Sequence, residues 1–479
     1  MNDMTPAAHA VQLEPIRQAL SQGGFRTAEK LAVEHVRAHP RSAQTWVYLG
    51  EALLRQGFGN AARGAFDRAW LLDPQASWVA DVRQALAAAS GGPSRDDIGA
   101  LLAVPPATVT AAIMTHNNAR TIEHCVRSLL DAVDEIVLLD SDSDDGTIES
   151  VEHWPKVKVI RGVPLNDDFA GKRNLGHAHF SCDWVMWIDS DESLDAEDAP
   201  VVREAAGLFH NAAVPAVLNV CQVNTIRGKE VRDYSMPRMY QLGRGLRYYG
   251  RVHEQIVLEG SGLFEGGIVR QSIRIRLHHD GYEPDAMAQK DKLNRNLRLL
   301  RMMVEEEPDN PGWMLYYGRE TLASGDPDAA LERLRQAERL ADKQPRFGRL
   351  TDILMYQFKI YMGKRQFDLA EEACRRALQA DPQFPDALYN LAQAQMRRAA
   401  QLLQQSEHRL NQAKTSFATY RGVVTADRTI LDWKADLALA DLALLTGKKA
   451  EAIRRYDAIL QRHPGLEAVR TKRDKLQSD

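Results

Sequence analysis

The sequence predicts an α/β domain inserted between two sets of helical repeats. Two successive helix-rich units close at Pro40 and Pro74, which lie 34 residues apart, a period typical of helix–turn–helix repeats. Helical units of the same kind return towards the C-terminus. Between the two sets, short β-rich runs alternate with helical segments, and this alternation is typical of a mainly parallel sheet with helices on both faces.

The repeated units follow the tetratricopeptide pattern. In the unit from Trp46 to Pro74, small residues such as Gly50 and Ala62 stand where two helices must cross closely. Stacked repeats of this kind form a curved solenoid that usually binds a protein or peptide. Later units show the same spacing of small and aromatic residues, at Gly318, Gly325, Ala330, Gly363, Phe367, Ala370, Trp433, Gly447 and Ala452.

We expect four segments along the chain: repeats over 1–92, a linker over 93–107, the α/β domain over 108–283 and repeats over 284–479. Within the α/β domain, helices are predicted after the first strand to about residue 132, from Asp145 and from Gly171. The polar run 227–234 is predicted to be a mobile loop. The predicted strands cover 109–114, 135–140, 157–160, 184–188, 216–223, 237–241 and 273–277.

Composition indicates an ordinary folded protein of about three domains. The 479 residues are 44% hydrophobic and 26% charged with a net charge of −4, a balance that argues against a nucleic-acid binder. The four cysteines lie far apart and form no zinc motif. The N-terminus lacks the pattern of a secretory signal, and no stretch reaches the roughly 18 apolar residues of a membrane span. We therefore expect a cytoplasmic protein without a transmembrane segment, whose membrane contact, if any, is peripheral at the inner membrane.

Polar residues cluster directly after the predicted strands, where an open α/β sheet binds its ligand. The first strand ends in T-H-N-N from Thr115, the second in D-S-D-S-D-D-G-T from Asp140, and the fourth in D-S-D-E from Asp189. Lys172 and Arg173 open the helix before the fourth strand. Clustered carboxylates with a few cations suit a diphosphate bridged by a hard metal ion, which prefers oxygen ligands.

These motifs resemble the family-2 glycosyltransferases of the GT-A fold, in the branch that is fused to tetratricopeptide repeats. The resemblance covers about residues 108–282 and includes F-A-G-K-R-N from Phe169 and W-I-D-S-D-E from Trp187. It implies a Rossmann-like mixed sheet, mainly parallel, and a nucleotide-sugar donor. Each motif alone is not specific to the family, since acidic loops are common. The order of the motifs, their spacing and their position after predicted strands are specific in combination.

The resemblance also implies roles for individual residues. Thr115, Asn117 and Asp140 would contact the uridine of a UDP-sugar, and Arg173 would reach the diphosphate or the base. Asp189 would lie near the ribose and is also a candidate metal ligand. Asp191 would bind the Mn²⁺ or Mg²⁺ that bridges the two phosphates. By contrast, Asp145 reads as the N-cap of a helix over 146–152.

An inverting enzyme of this fold also needs a carboxylate base from the segment after the metal motif. We favour Glu254 in the segment G-R-V-H-E-Q, because it follows a short β-like stretch, with His253 as a residue that could orient it. Asp233 is the main alternative. The remaining candidates are Glu259 and Glu265.

Two adjacent histidines, His278 and His279, follow a predicted strand. Neutral imidazole is a common ligand for Mn²⁺-like ions, so one of them could complete the metal site. A hydrogen-bonded hinge between domains explains the pair equally well.

The sequence therefore predicts metal-dependent, inverting transfer of a sugar from a UDP-sugar. The acceptor is left open between a peptide or protein and a saccharide, since the branch resembles both kinds of enzyme. The repeats would hold the acceptor or form a homodimer. The alternative from another class is a tetratricopeptide scaffold that carries an inactive glycosyltransferase domain.

Overall fold

The computed structural model describes residues 6–164, 167–226, 228–261, 267–279, 286–344 and 346–478. It divides the chain into two compact units, residues 1–320 and 321–479. The predicted fold class is confirmed, because a mixed α/β sheet of GT-A type stands in the middle of the chain with helical repeats before and after it in the sequence. The limits predicted for the four segments stay a prediction.

The first unit opens with antiparallel helix pairs of tetratricopeptide type. Gly50 shows why small residues recur in them, because a Cβ atom there would lie 2.9 Å from the ring of Phe66 on the facing helix. The helices of this part are α1 (Pro6–Ser21), α2 (Phe25–Ala38), α3 (Ala43–Arg55), α4 (Gly59–Leu72), α5 (Val79–Ala88) and α6 (Asp96–Leu102).

The α/β part of the first unit contains one large sheet and one β-ribbon. Among the described residues, the large sheet has the strand order β3-β2-β1-β4-β7-β6-β10-β5, and β8 pairs with β9 in the ribbon. Its helices are α7 (Ile122–Leu129), α8 (Phe169–Gly176) and α9 (Ala199–His210). The strands are β1 (Val109–Thr115), β2 (Glu135–Asp140), β3 (Val157–Ile160), β4 (Trp184–Asp189), β5 (Glu192–Leu194), β6 (Ala216–Ile226), β7 (Lys229–Gln241), β8 (Leu246–Tyr249), β9 (Gln255–Leu258) and β10 (Val269–His279).

The register of the parallel strands brings the predicted site residues to one edge. Strand β1 pairs in parallel with β2 and with β4, so that Thr115 stands opposite Asp140 and Met114 opposite Asp189. Because parallel strands end at the same edge of a sheet, the polar loops that follow β1, β2 and β4 meet there.

Two local predictions are wrong. The segment from Asp145 forms consecutive turns instead of a helix, and the Asp145 carboxylate accepts hydrogen bonds from the Thr147 N–H at 3.0 Å and the Ala119 N–H at 3.1 Å. It therefore fixes two loops to each other and caps no helix. The polar run 227–234 was predicted as a loop, but from Lys229 onwards it is strand β7, which pairs antiparallel with β6. Cross-strand pairing outweighs the polar composition there.

One continuous hydrophobic core joins the N-terminal repeats to a face of the sheet, and it contains both Trp46 of α3 and Ile113 of β1. Arg68 of α4 crosses this contact almost fully buried, with its Nε atom 2.7 Å from a Glu204 carboxylate oxygen. Its Nη2 donates to the Leu102 carbonyl at 2.6 Å. The opposite face of the sheet has a separate core that includes Trp187, Tyr240 and Tyr248.

Two more helices of the first unit, α10 (Ala286–Glu306) and α11 (Pro311–Ala323), pack against the loop 250–254 that joins β8 to β9. Val252 of this loop is buried in a cluster with Leu300, Met303 and Trp313. Gly250 has a φ of +97°, and a Cβ atom there would lie 2.6 Å from the Trp313 ring. The conformation of this loop therefore depends on α10 and α11, which lie at the start of the segment predicted to form the C-terminal repeats.

The second unit consists of helices. Among the described residues, no helix of the chain has both the length and the apolar character needed to cross a membrane. The helices of the second unit are α12 (Pro327–Ala341), α13 (Leu350–Gly363), α14 (Phe367–Ala380), α15 (Pro385–Ser416), α16 (Ala435–Leu445), α17 (Lys449–Arg462) and α18 (Glu467–Ser478).

Replacing Gly250 with Ala should destabilise the protein through both backbone strain and collision with Trp313. Left-handed backbone costs a non-glycine residue about 1–2 kcal/mol, and overpacking typically adds about 1–3 kcal/mol. We expect Gly250→Ala to lower the free energy of unfolding by about 2–5 kcal/mol, measured by urea titration with tryptophan fluorescence.

Gly260→Ala is the matched control, because Gly260 has a φ of +77° but its Cβ position is in open space. It should cost only the backbone term of about 1–2 kcal/mol. Equal losses in the two variants would show that the close approach of Trp313 contributes nothing to stability.

Candidate active site

The carboxylate of Asp189, at the end of β4, is held by two arginines. Arg238 of β7 donates to both oxygens, with Nη1 2.8 Å from Oδ1 and Nη2 2.5 Å from Oδ2. Arg173 of α8 approaches Oδ1 at 3.6 Å. Burial alone would raise the pKa of Asp189, but the two guanidinium groups outweigh it and hold that pKa well below the usual range for an aspartate.

Arg173 links this carboxylate to Glu254. Its side chain is 7% exposed, and its Nε donates to Glu254 Oε1 at 3.1 Å. The guanidinium lies against two aromatic rings, 4.8 Å from the centroid of Trp187 and 5.0 Å from that of Tyr248. Cation–π contact and burial fix its position. Glu254 and Asp189 are therefore joined through one immobilised arginine.

A second chain of hydrogen bonds starts at the buried carboxylate of Glu192. This group accepts from the Asp189 N–H at 2.9 Å and from Gln222 Nε2 at 2.6 Å, and it lies 3.3 Å from Arg238 Nη2. Burial raises the pKa of Glu192, and the charge of Asp189 adds to this, while Arg238 opposes both. Gln222 Oε1 in turn accepts from Asn224 Nδ2 at 3.3 Å.

The chain continues from Asn224 to His279 and Asp191. His279 Nδ1 lies 3.0 Å from Asn224 Oδ1, and His279 Nε2 lies 3.3 Å from Asp191 Oδ2. Because Asn224 uses its N–H₂ group on Gln222, its oxygen faces His279, and Nδ1 must carry the proton that joins them. In the neutral ring, the lone pair of Nε2 then faces a carboxylate oxygen.

This pair of atoms fits a divalent cation. Two atoms whose lone pairs face each other repel unless a proton or a cation lies between them. Imidazole nitrogen and carboxylate oxygen are both common ligands of Mn²⁺-like ions. Asn224 supplies a hydrogen bond to His279 Nδ1 of the kind that orients histidine ligands in metal sites. Within the described ranges, no three His, Cys, Asp or Glu side chains converge on a point, so further ligands of an ion at Asp191 would come from outside these residue types.

The structure separates the two adjacent histidines. They alternate along β10, so their side chains point to opposite faces of the sheet. His278 Nε2 lies 2.9 Å from Asp195 Oδ2, in a group with Arg276, whereas His279 faces Asp191. His278 is therefore placed beside a different carboxylate from the one in the D-x-D motif.

The three residues predicted to contact uridine form the edge between the first two polar loops. Asp140 is buried and accepts from the Ser143 Oγ–H at 2.6 Å. Asn117 has a φ of +55°, and its Oδ1 accepts from the Asp144 N–H at 3.0 Å. Left-handed backbone favours asparagine among non-glycine residues. Thr115 Oγ1 donates to Asn118 Oδ1 at 3.2 Å, so all three side chains help to shape the loops.

The candidate bases lie in different surroundings. Glu254 belongs to the cluster described above, with its side chain 17% exposed. Asp233 lies on the β6–β7 hairpin, where its Oδ1 accepts from the N–H and the Oγ–H of Ser235 at 2.8 and 2.6 Å. Glu259 forms an exposed ion pair with Arg247. Glu265 lies outside the described residues.

Sequence reasoning missed Arg238, Gln222 and Asn224, and it gave Glu192 no role. Arg238 carried a usable signal, because it is a charged residue within the predicted strand 237–241. Gln222 and Asn224 alternate along β6 with buried Cys221 and carry no such signal, since polar residues at every second position are normal in a strand.

Family models match the central part of the chain and the repeats separately. Residues 110–256 match the model for glycosyl transferase family 2. Residues 16–77 and 357–401 match a tetratricopeptide repeat model.

Relatives of both kinds are found. Glycosyltransferase SunS, derived from the SPbeta prophage of Bacillus subtilis strain 168, is 27% identical over 231 residues, which are 48% of this chain and 53% of the relative. A TPR repeat-containing protein of Synechococcus elongatus is 24% identical over 298 residues, 60% of this chain and 68% of the relative. This chain thus spans about half the length of the glycosyltransferase that it matches.

Among solved structures, S. aureus TarS 1–349 in complex with UDP-GlcNAc is 14% identical, covers 61% of this chain and 92% of that chain, and has a TM-score of 0.32. The family models, matched in separate segments, account for the central sheet and for repeats on both sides of it in the sequence. Residues 110–256 are therefore similar to glycosyl transferase family 2, and segments similar to tetratricopeptide repeats precede and follow them in the chain.

Proposed function

We propose that the chain is an inverting, divalent-cation-dependent glycosyltransferase that uses a UDP-sugar as its donor. The observation that carries this proposal is the connected cluster at the carboxyl edge of the sheet, in which Asp189 is bound by Arg238 and Arg173, and Arg173 also binds Glu254. Such a cluster combines groups that can bind a nucleotide diphosphate with a carboxylate that can take a proton.

The donor would be held by both polar loops and by the D-x-D motif. Thr115, Asn117 and Asp140 would contact the uridine, since they line the edge between the loops after β1 and β2. Asp189 would contact the ribose, although both of its oxygens accept from Arg238, which leaves it poorly suited to bind a metal as well. Arg173 would face the diphosphate.

Mn²⁺ or Mg²⁺ would be held by Asp191 and His279, with the phosphate oxygens of the donor among its other ligands. The contact of His279 Nε2 with Asp191 Oδ2 supports His279 as the ligand, and the pairing of His278 with Asp195 argues against His278. A cation there supplies Lewis acidity to the leaving diphosphate, a charge stabilisation that is usually a large part of such catalysis.

Glu254 would act as the base. In an inverting step, an acceptor oxygen attacks C1 of the sugar, its proton passes to the Glu254 carboxylate, and the C1–O bond to UDP breaks with its electron pair leaving on the diphosphate. The hydrogen bond from Arg173 Nε to Oε1 orients the carboxylate for this transfer. Asp233 remains the alternative base.

The acceptor is a peptide, a protein or a saccharide, and the repeats would hold it or form a homodimer. Concave repeat surfaces usually bind polypeptides, which supports the first two acceptors. The cytoplasmic location expected from the sequence belongs to the proposal as well.

Glu254→Gln should lower turnover by about 10²–10⁴-fold without weakening UDP binding, because it keeps the shape of the side chain and removes its basicity. Turnover is measured as UDP release from UDP-glucose and UDP-GlcNAc. Asp233→Asn is the matched control and should stay within about threefold of wild type. If Asp233→Asn loses turnover and Glu254→Gln keeps it, the base is Asp233.

Wild-type protein that binds UDP but releases no UDP from any UDP-sugar would support the alternative of a tetratricopeptide scaffold with an inactive glycosyltransferase domain.

Arg238→Lys should weaken UDP binding by about tenfold, because lysine keeps the charge but cannot donate two parallel hydrogen bonds to Asp189. Arg247→Lys makes the same chemical change in the exposed pair with Glu259 and should leave affinity unchanged. Calorimetric titration of UDP with Mn²⁺ present measures both. Equal affinities for UDP in Arg238→Lys and Arg247→Lys would show that Arg238 does not contribute to UDP binding.

A further inference from the structure

The loop that carries Glu254 is fastened to helix α11 through the residue before it. His253 has a φ of +53°, and its ring stacks on the Tyr316 ring with centroids 4.7 Å apart and planes 27° apart. Its Nε2 lies 3.0 Å from Glu320 Oε1. A positive φ in a non-glycine residue is uncommon and persists only where surrounding contacts hold it.

Arg319 completes this contact. Its Nη2 lies 3.1 Å from His253 Nδ1 and donates to Glu320 Oε1 at 2.9 Å, while its guanidinium carbon lies 4.9 Å above the Tyr316 ring. Burial opposes ionisation of Glu320, but the hydrogen bond from His253 and the charge of Arg319 outweigh it and lower the pKa of Glu320 to about 2. An ionised Glu320 accepts from His253 Nε2–H, and Arg319 Nη2 lies beside both ring nitrogens, 3.0 Å from Nε2 and 3.1 Å from Nδ1.

The side chain of Gln255 binds the backbone at Glu254 and also contacts α11. Gln255 Nε2 donates to the carbonyls of His253 and Glu254 at 3.0 and 3.3 Å and lies 3.4 Å from the Tyr316 hydroxyl. The position of the Glu254 side chain therefore depends on α11 at its backbone and on Arg173 at its carboxylate.

We propose that His253, fixed by Glu320 and Arg319 of α11, is a positioning residue that sets where the Glu254 carboxylate stands for proton transfer. The proposal rests on the assignment of Glu254 as the base. The sequence marks His253 as a residue that could orient Glu254, and because its ring is turned to α11, it would act on Glu254 through the shared backbone. The first helices after the sheet are then part of the catalytic machinery and not only a surface for the acceptor.

The test compares His253→Asn with wild type. Asparagine tolerates a positive φ, so the variant keeps the backbone preference and loses the ring contacts. Because displacement of a catalytic group by about 1 Å can cost about 10²-fold, we expect kcat to fall by about 10–100-fold with KM for the UDP-sugar unchanged. The donor is the UDP-sugar that wild-type protein turns over fastest, and the readout is release of UDP.

Three further variants separate positioning from general loss of structure. Glu320→Ala should reduce kcat like His253→Asn, whereas Glu320→Gln keeps an oxygen that accepts from His253 and should retain most of the rate. His210→Asn makes the same substitution at a partly buried histidine that contacts Trp184, at the opposite end of β4, and should leave kcat unchanged. Hydrogen exchange of the amides in 250–255 should become faster in His253→Asn and Glu320→Ala only.

The double variant His253→Asn/Glu254→Gln shows whether the positioning role of His253 or the assignment of Glu254 as the base is wrong. If His253 acts through Glu254, adding His253→Asn to Glu254→Gln should change kcat by less than about twofold, since coupled residues are not additive. An additional tenfold loss in the double variant, or unchanged kcat and exchange in the single variant, would overturn the positioning role. Wild-type turnover in Glu254→Gln alone would instead overturn the base assignment.

Discussion

The ion pair between Arg238 and Asp189 is the interaction on which the rest of the candidate site depends. The Arg238 side chain is 5% exposed, and it contacts both Asp189 and the fully buried Glu192. Removing Arg238 would leave the buried Glu192 carboxylate without a compensating charge, whereas the Asp189 side chain is partly exposed. Once Arg238 is in place, it fixes the first aspartate of the D-x-D motif and one end of the chain of hydrogen bonds that leads to His279.

Two networks leave this pair in different directions. One runs through Arg173 to Glu254, and the other runs through Glu192, Gln222 and Asn224 to His279 and Asp191. The first would place a base beside the sugar, and the second would orient a metal ligand beside the diphosphate. Because Asp189 contacts Arg173 through its carboxylate and Glu192 through its N–H, the two networks are held in a fixed relation by hydrogen bonds and ion pairs.

Much of the fold could be predicted from the sequence, because its strands are short apolar runs and its repeats have a fixed period. The strands that end at Thr115, Asp140 and Asp189 are examples, and so is the crossing of helices at Gly50. The polar run that begins β7 could not be predicted, since its pairing with β6 is a long-range contact that composition does not encode. The sequence predicts a helix where turns follow Asp145, because an N-cap residue is equally favourable in a turn.

The sequence names candidate residues for the site, but it does not show the contacts between them. The motifs indicated Asp189, Asp191, Arg173 and Glu254, but one sequence cannot show that Arg238 occupies both oxygens of Asp189, because these residues are 49 positions apart. Nor could spacing decide between His278 and His279. Only the register of β10 assigns each ring to a face of the sheet and a partner.

Calorimetric titration of UDP into wild-type protein and Asp191→Ala, each with Mn²⁺ and with EDTA, tests the proposed site most directly. A diphosphate bound through a cation at Asp191 and His279 requires affinity at least about tenfold higher in Mn²⁺ than in EDTA for wild type, a difference of about 1.4 kcal/mol. Asp191→Ala should show the weaker affinity under both conditions. Equal wild-type affinities in Mn²⁺ and EDTA, or wild-type affinity in Asp191→Ala with Mn²⁺, would contradict a metal-bridged donor at this edge of the sheet.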